Sequence, residues 1–203
     1  ARRGGDAVTA VLDAVRAHVR AHFAARGLDS EPDSASVTFL GVERMDVLRF
    51  GPIDGLLHHV SLGCARHPMG DPAAAAVDPV RGPRAELVLT VRDTVPTPGL
   101  ARTVAILAAT PAVDGIVLRP DALIDLGAPL WQRPAGLPPL SAVVLTDGAI
   151  PDLELGEPYD PVTFLAATPI SANEAAWARL KGVDALREAW QQDGVDVGLV
   201  VDN

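Results

Sequence analysis

Cysteine is almost missing from this 203-residue chain. The one present, Cys64, cannot close an internal disulfide. The chain also has no run of about 18 apolar residues and no charged start followed by an apolar core, so neither a membrane span nor a secretory leader is expected. These absences predict a cytoplasmic protein. Because the chain opens on Ala1 rather than methionine, an N-terminal extension is expected to have been trimmed. Lysine is reduced to one residue beside 16 arginines, a codon bias of GC-rich sequence that also explains alanine-rich stretches such as PAAAAVDP. A basic surplus is lacking as well. The net charge of −9 disfavours nucleic-acid binding, which depends on neutralising phosphates, and it suits a basic partner.

Several motifs are missing too. There is no P-loop and no G-x-G-x-x-G after a strand, and Ser61 precedes Gly63 without forming a G-x-S-x-G elbow, so nucleotide binding and a serine triad have no support. No internal repeat and no low-complexity linker divides the chain. With 48% hydrophobic and 21% charged residues it has the composition of an ordinary folded protein, and residues 1–203 are expected to form a single domain.

What is present is a sequence of well-marked elements. Val8, Val11, Leu12, Val15, Val19 and Phe23 recur at spacings of three and four and predict an amphipathic helix within 1–27, with Gly27 at its C-cap. His18 and His22 are placed on its solvent side. Antiparallel strands are expected at 36–42, 46–50 and 55–63. A long proline-bearing loop, 64–83, leads to a strand at 84–92 that puts Ala85, Leu87, Leu89 and Val91 on the core face and Arg84, Glu86, Thr90 and Arg92 on a wet or paired face. A second helix follows at 99–110, then an extended piece near 113–120, strands at 140–148 and 162–170, and an acidic segment carrying Asp152, Glu154, Glu157 and Asp160. Ser171 and Glu174 match the S-x-x-E capping box, which opens a helix over 172–181, followed by another over 183–192 and a terminal strand, VGLVV.

The densest chemistry lies in HHVSLGCARHPMGD, residues 58–71. His58, His59, Cys64, His67 and Asp71 are all legal metal ligands, but strand alternation sends His58 and His59 to opposite faces, so no metal site and no cofactor are assigned. Cys64 beside His59 or His67 could serve a cysteine or metal-dependent hydrolase, and that is the alternative reading. A buried cysteine acting as a small apolar side chain is preferred, and no catalytic residue is assigned. Met69, Trp131, Tyr159, Trp177 and Trp190 are the large side chains available for recognition. Trp131, in a proline-rich segment, is expected to be an exposed anchor, while Trp177 and Trp190 are expected in core or half-buried positions.

The order of Val60-Ser61-Leu62-Gly63, Pro68-Met69, Arg84-Ala85-Glu86-Leu87 and then Pro169-Ile170 with Glu174 resembles the suppressor-of-fused domain, over residues 36–203. The resemblance implies an α/β (α+β) fold: a central mixed, largely antiparallel sheet flanked by helices, without enzymatic activity. Animal members clamp a short peptide of Gli-type transcription factors using this domain and a second one, for which this chain has no room. Bacterial relatives are proposed to be immunity proteins. The expectation is therefore a non-enzymatic protein-binding domain, an immunity protein neutralising a toxin partner, with its acidic surface drawing a basic toxin domain. No nucleic acid or membrane partner is expected, and the oligomeric state is left open. His59, His67, Met69, Arg84, Glu86 and Trp131 are the candidate partner-binding residues. Arg84 and Glu86, two apart on one strand face, could pair with each other, bond helix groups or line a partner groove.

Overall fold

The apolar spacing at the N-terminus forms a helix, α1 (Arg2–Ala24), whose Val11, Val15, Val19 and Phe23 are all buried. Burial of each such side chain contributes roughly 1.5–3 kcal/mol, which fixes the helix against the sheet. It ends where Gly27, at φ 93°, turns the chain and the Leu28 N–H returns to the Phe23 carbonyl at 3.0 Å. The structure is a computed structural model and describes residues 2–39, 41, 43–70, 76, 78–94 and 96–195.

Seven strands form one sheet: β1 (Asp33–Val37), β2 (Met45–Ile53), β3 (Leu56–Leu62), β4 (Arg84–Arg92), β5 (Leu123–Asp125), β6 (Leu140–Asp147) and β7 (Val162–Ser171). Their order is β1-β2-β3-β4-β7-β6-β5. The first four form an antiparallel meander, β4 and β7 pair in parallel, and β7-β6-β5 is antiparallel again. The sheet is thus mixed and largely antiparallel. Its single parallel pair forces a crossover, which contains α2 (Leu100–Asp114), β5 and β6.

Helices cover both faces. On one, α2 and the segment holding Leu118, Ile124, Leu130 and Trp131 pack over Val47, Leu87, Leu89, Val91, Val143, Leu145 and Leu165. On the other, α1 covers Leu48, Phe50, Val60, Leu62, Val162 and Phe164, with Phe23 stacked on Phe50 at 4.3 Å. Beside it, α3 (Ala172–Lys181) and α4 (Val183–Gln192) cover Ala142, Val144 and Ile170. The capping box forms: Ser171 Oγ accepts from the Glu174 N–H at 3.3 Å, and Glu174 accepts from the Ser171 N–H at 2.7 Å. No helix among the described residues is long and apolar enough to cross a membrane.

Four expectations change. The strand expected at 36–42 lies at Asp33–Val37, because Asp33 and Ser36 bond Arg49 and Asp46 across the pair, while Phe39 leaves the edge to pack on the α2-side core. No strand forms at 113–120; the chain pairs at β5 instead, held by Asp121 and Ala122 backbone bonds to Leu145. His18 and His22 are half-buried, and His18 Nε2 lies 2.7 Å from the Pro151 carbonyl. Of the two outcomes open for the polar face of β4, wet or paired, Arg84 and Glu86 take the second: both are buried and bonded to the turn after β3. Trp177 is 47% exposed, because α3 faces the sheet with Ala175 and Ala178, whereas Trp190 is buried as expected. The expected terminal strand at 196–200 and Asp71 lie outside the described residues.

Candidate functional site

β3 and β4 pair from Leu56↔Arg92 to Val60↔Val88 and then separate. At that fork Ser61 replaces the missing ladder: its hydroxyl accepts from the Leu87 N–H at 2.8 Å and lies 2.5 Å from a Glu86 carboxylate oxygen. The other Glu86 oxygen accepts from the N–H groups of Gly63 (2.8 Å) and Ala65 (3.0 Å), at the start of the 3-10 turn Cys64–Arg66. Arg84 takes the opposite pole of that turn. It donates to the carbonyls of Ala65 (2.7 Å), Arg66 (3.1 Å) and Val80 (3.1 Å), and its guanidinium lies 5.5 Å from the centre of the Tyr159 ring. The two charged side chains do not bond each other. One satisfies the N–H groups of the turn and the other its carbonyls, although Arg84 Nε is left buried without a hydrogen-bond partner.

Gly63 is required by this close packing. It sits at φ 147°, and a Cβ there would lie 2.8 Å from Met45 Sδ and 3.3 Å from the Arg44 carbonyl oxygen. Burial raises the Glu86 carboxyl to about 7, against the lowering pull of its hydrogen bonds from Ser61 and the turn. Burial and the neighbouring Glu86 also push the Cys64 thiol well above its ordinary value. A nucleophilic cysteine needs the reverse shift, so this thiol is poorly suited to catalysis.

The fixed turn forms one wall of a cleft of ≈ 240 Å³, between residues 63–70 and the α2 end at Ala108, Ala109, Pro111 and Ala112. Its rim is charged: His67 Nε2 lies 2.7 Å from Glu43 Oε2, and Arg66 Nε lies 3.8 Å from the same oxygen. Met69 closes one side, with its N–H bonded to the Pro83 carbonyl at 2.7 Å and its Sδ accepting from the Leu118 N–H at 3.2 Å.

Sequence reasoning brought six candidates together, and the structure disperses them. His67 is exposed on the cleft rim, and Met69 lines the cleft while itself buried. Arg84 and Glu86, at 3% and 0% exposure, stand behind the cleft and offer no surface for direct contact. Trp131 is buried in the α2-side core and is not an exposed anchor, because the segment before β6 folds back over the sheet. His59 is buried on the α2 face and lines a different cleft. His58, on the opposite face, bonds Thr90 Oγ1 at 2.9 Å and lies against the Phe23 ring. Burial pushes both histidines down to about 4, with Arg26 adding to the effect on His58 and Arg49 on His59. Among the described residues no three His, Cys, Asp or Glu side chains assemble to hold a metal ion.

Ser61, Glu43 and Arg66 were missed. Ser61 could have been found as a hydroxyl two residues before a glycine at a strand end, facing a neighbouring strand with a lone carboxylate. Glu43 and Arg66 carry no such signal. The acidic segment is a fixed surface rather than a loose loop. Leu153 exchanges two 2.9 Å backbone bonds with Val162, Leu153 and Leu155 pack on the core, and Asp152, Glu154 and Glu157 remain exposed. Asp160 is the exception, since its carboxylate accepts from the Gly82 N–H.

The chain matches the family model of suppressor of fused protein (SUFU) over residues 41–199. Solved structures share its fold, and three of them show the likeness. One is the crystal structure of the Sufu-Fu complex, with TM-score 0.65 and 14% identity, covering 94% of this chain and 87% of that one. Another, from Neisseria gonorrhoeae FA 1090, is described as a SUFU homolog, with TM-score 0.62 and 16% identity over 96% of both chains. The third is Drosophila Suppressor of Fused, with TM-score 0.63 and 14% identity, covering 93% of this chain and 49% of that one. No curated protein sequence matches.

Proposed function

The chain belongs to the suppressor of fused family, and on that premise we propose that it is a non-enzymatic protein-binding domain. The observation that carries the reading is the fully buried Glu86, whose carboxylate is spent on Ser61 and on the backbone of Gly63 and Ala65. This carboxylate holds a wall in place, and what faces solvent is a small cleft of mixed polarity rimmed by Glu43, Arg66 and His67. Such a surface suits recognition, and the thiol beside it, Cys64, is raised by burial and by Glu86 rather than activated. The Sufu-Fu complex supports the same reading, since a relative of this fold is seen bound to a protein.

The partner we propose is a basic toxin domain, which makes the chain an immunity protein acting in the cytoplasm. The net charge of −9 and the exposed carboxylates of Asp152, Glu154 and Glu157 would steer a basic surface toward it. The test is co-expression and calorimetry with the product of the adjacent gene. A one-to-one complex that relieves toxicity is expected. Association should slow about tenfold in the double variant Asp152→Lys, Glu154→Lys at low salt. Ala112→Arg, which fills the cleft from an exposed position, should weaken the complex strongly. An adjacent product that neither binds nor is toxic would overturn the immunity reading, and unchanged binding by both variants would overturn the surface.

A further inference from the structure

The side chains around the last turn of α1 take no part in the cleft, and their chemistry is unusual for an interior. Phe23, 1% exposed and stacked on Phe50, is the last anchor of α1 on the sheet. Two imidazoles enclose it. The His22 ring stands edge-on to it at 5.1 Å, and the His58 ring, from β3, tilts against it at 5.2 Å. His58 Nδ1 lies 2.9 Å from Thr90 Oγ1, but the Nε2 atoms of both His58 and His22 are buried without a hydrogen-bond partner. A neutral ring can leave a weak acceptor unmatched there, whereas an imidazolium would bury an unmatched N–H donor together with a charge.

The charges around the two rings are of one sign. Arg26, in the turn that closes α1, acts on both; His18 acts on His22, and His22 on His58. From β4, Arg92 stands on the same sheet face two residues past Thr90, and β2 contributes the apolar Phe50. Among the described residues no carboxylate bonds either ring. The same helix braces the acidic segment. His18, stacked on Phe164, has its Nε2 2.7 Å from the Pro151 carbonyl, and Ile150, Leu153 and Leu155 pack in the cluster of Val15, Val19 and Phe23. The tie from α1 to β1 is the segment 25–32, so the helix can leave without unpairing a strand.

We propose that α1 is an acid-released brace: protons taken up by His22 and His58 detach its C-terminal half from β2 and β3 and, through Pro151, free the acidic segment. In the detached state both rings return to water and hold their protons there. In the docked state burial, with Arg26, keeps His58 at about 4 and His22 below its ordinary value. The detached state therefore binds more protons, so docking is firm near pH 7 and weakens as pH falls through 6.5 toward about 4. For His58 alone, the return from about 4 to 6.5 raises the opening constant about 20-fold between about pH 7 and pH 5, and His22 adds to this. His59, on the opposite face, stays buried when α1 leaves. The bearing on recognition rests on the partner surface proposed above, whereas the release of the helix does not.

The test is native-state amide exchange of the full-length chain, followed by NMR at about pH 7 and pH 5 and corrected for the intrinsic effect of pH. The Val19 and Phe23 amides of α1 are expected to open at least about 20-fold more at the lower pH, with the Leu153 amide following them. Leu107, in α2, should keep a smaller opening constant at both values, since its exchange requires the sheet to unfold. The double variant His22→Gln, His58→Gln should cut the pH response of α1 and Leu153 to less than about threefold. Should that variant not fold, Arg26→Gln, at an exposed position, takes its place; loss of this cation should lower the response about twofold or more. Opening of α1 that ignores pH, that equals the opening of Leu107 at both values, that leaves Leu153 protected, or that keeps its full pH response in the variant would overturn the proposal. The measurement involves no partner, so a failed adjacent-gene test leaves its outcome standing, and the reverse also holds.

Discussion

Replacing Glu86 with glutamine removes a buried group whose ionisation opposes folding near neutral pH. In the native chain its carboxyl is raised to about 7, while in the unfolded chain it returns to 4.5. Between those values the native state holds a proton that the unfolded state has released, so stability falls as pH rises. Below pH 4.5 both states are protonated and nothing is lost; above about 7 both are ionised and the loss is complete. The interval from 4.5 to about 7 is worth about 3 kcal/mol, at about 1.4 kcal/mol per pH unit. His58 and His59 act in the opposite sense. Held at about 4 and returning to 6.5 on unfolding, they make stability rise with pH over that lower range. The wild-type profile therefore mixes both trends, and the informative quantity is the difference between wild type and Glu86→Gln at each pH. Glutamine keeps one acceptor and turns an amide toward the donors, an offset of about 1–3 kcal/mol that does not vary with pH. Urea unfolding followed by circular dichroism from pH 4 to 8 gives the comparison. The difference should move in favour of the variant by about 3 kcal/mol between pH 4.5 and 7.5. Profiles that stay parallel to within about 0.5 kcal/mol would show that Glu86 is not the buried, titrating support of the turn.

One further outcome follows from the same turn, a second tests the cap of α3, and a third tests the thiol. Gly63→Ala places a Cβ against Met45 Sδ at 2.8 Å in a backbone conformation unsuited to alanine, and should cost about 2–4 kcal/mol in urea unfolding. Ser171→Ala removes the acceptor of the Glu174 N–H and should cost about 1 kcal/mol, read as a shift in the same unfolding midpoint. Cys64 should react with a disulfide reagent at pH 8 at least about tenfold more slowly than free cysteine and reach the free rate in urea; fast reaction of the native protein would refute its raised thiol.

Local periodicity made much of the fold legible. The spacing of Val11, Val15, Val19 and Phe23, the alternation at 84–92 and the Ser171–Glu174 box each specify an element whose bonds lie within a few residues. What was not legible depends on coverage by distant segments. Alternation placed Arg84 and Glu86 together on one face of β4, but nothing local says that the Cys64–Arg66 turn lies over them. Trp131 reads as exposed from its prolines, and only the return of its segment over the α2-side core buries it. Trp177 fails in the other direction. The buried stripe of α3 is made of alanines, which allow close approach to the sheet, so its largest apolar side chain is left outside.

The separation of support from surface has a consequence for how such a domain changes partners. Glu86 and Arg84 bond backbone groups of one turn, Ser61 joins Glu86 to the Leu87 N–H, and Gly63 gives the turn its close approach, so replacing any of them disturbs buried bonds. Glu43, His67, Asp152 and Glu154 are exposed, where substitutions typically change stability by less than about 0.5 kcal/mol. Against a marginal total stability of about 5–15 kcal/mol, that asymmetry leaves the rim and the acidic segment free to vary while the turn is held. If recognition runs through the rim and the acidic segment, exchanging those four residues between relatives should transfer partner preference with little change in stability. An exchange at Arg84 should instead lower stability while leaving the order of partner preference unchanged.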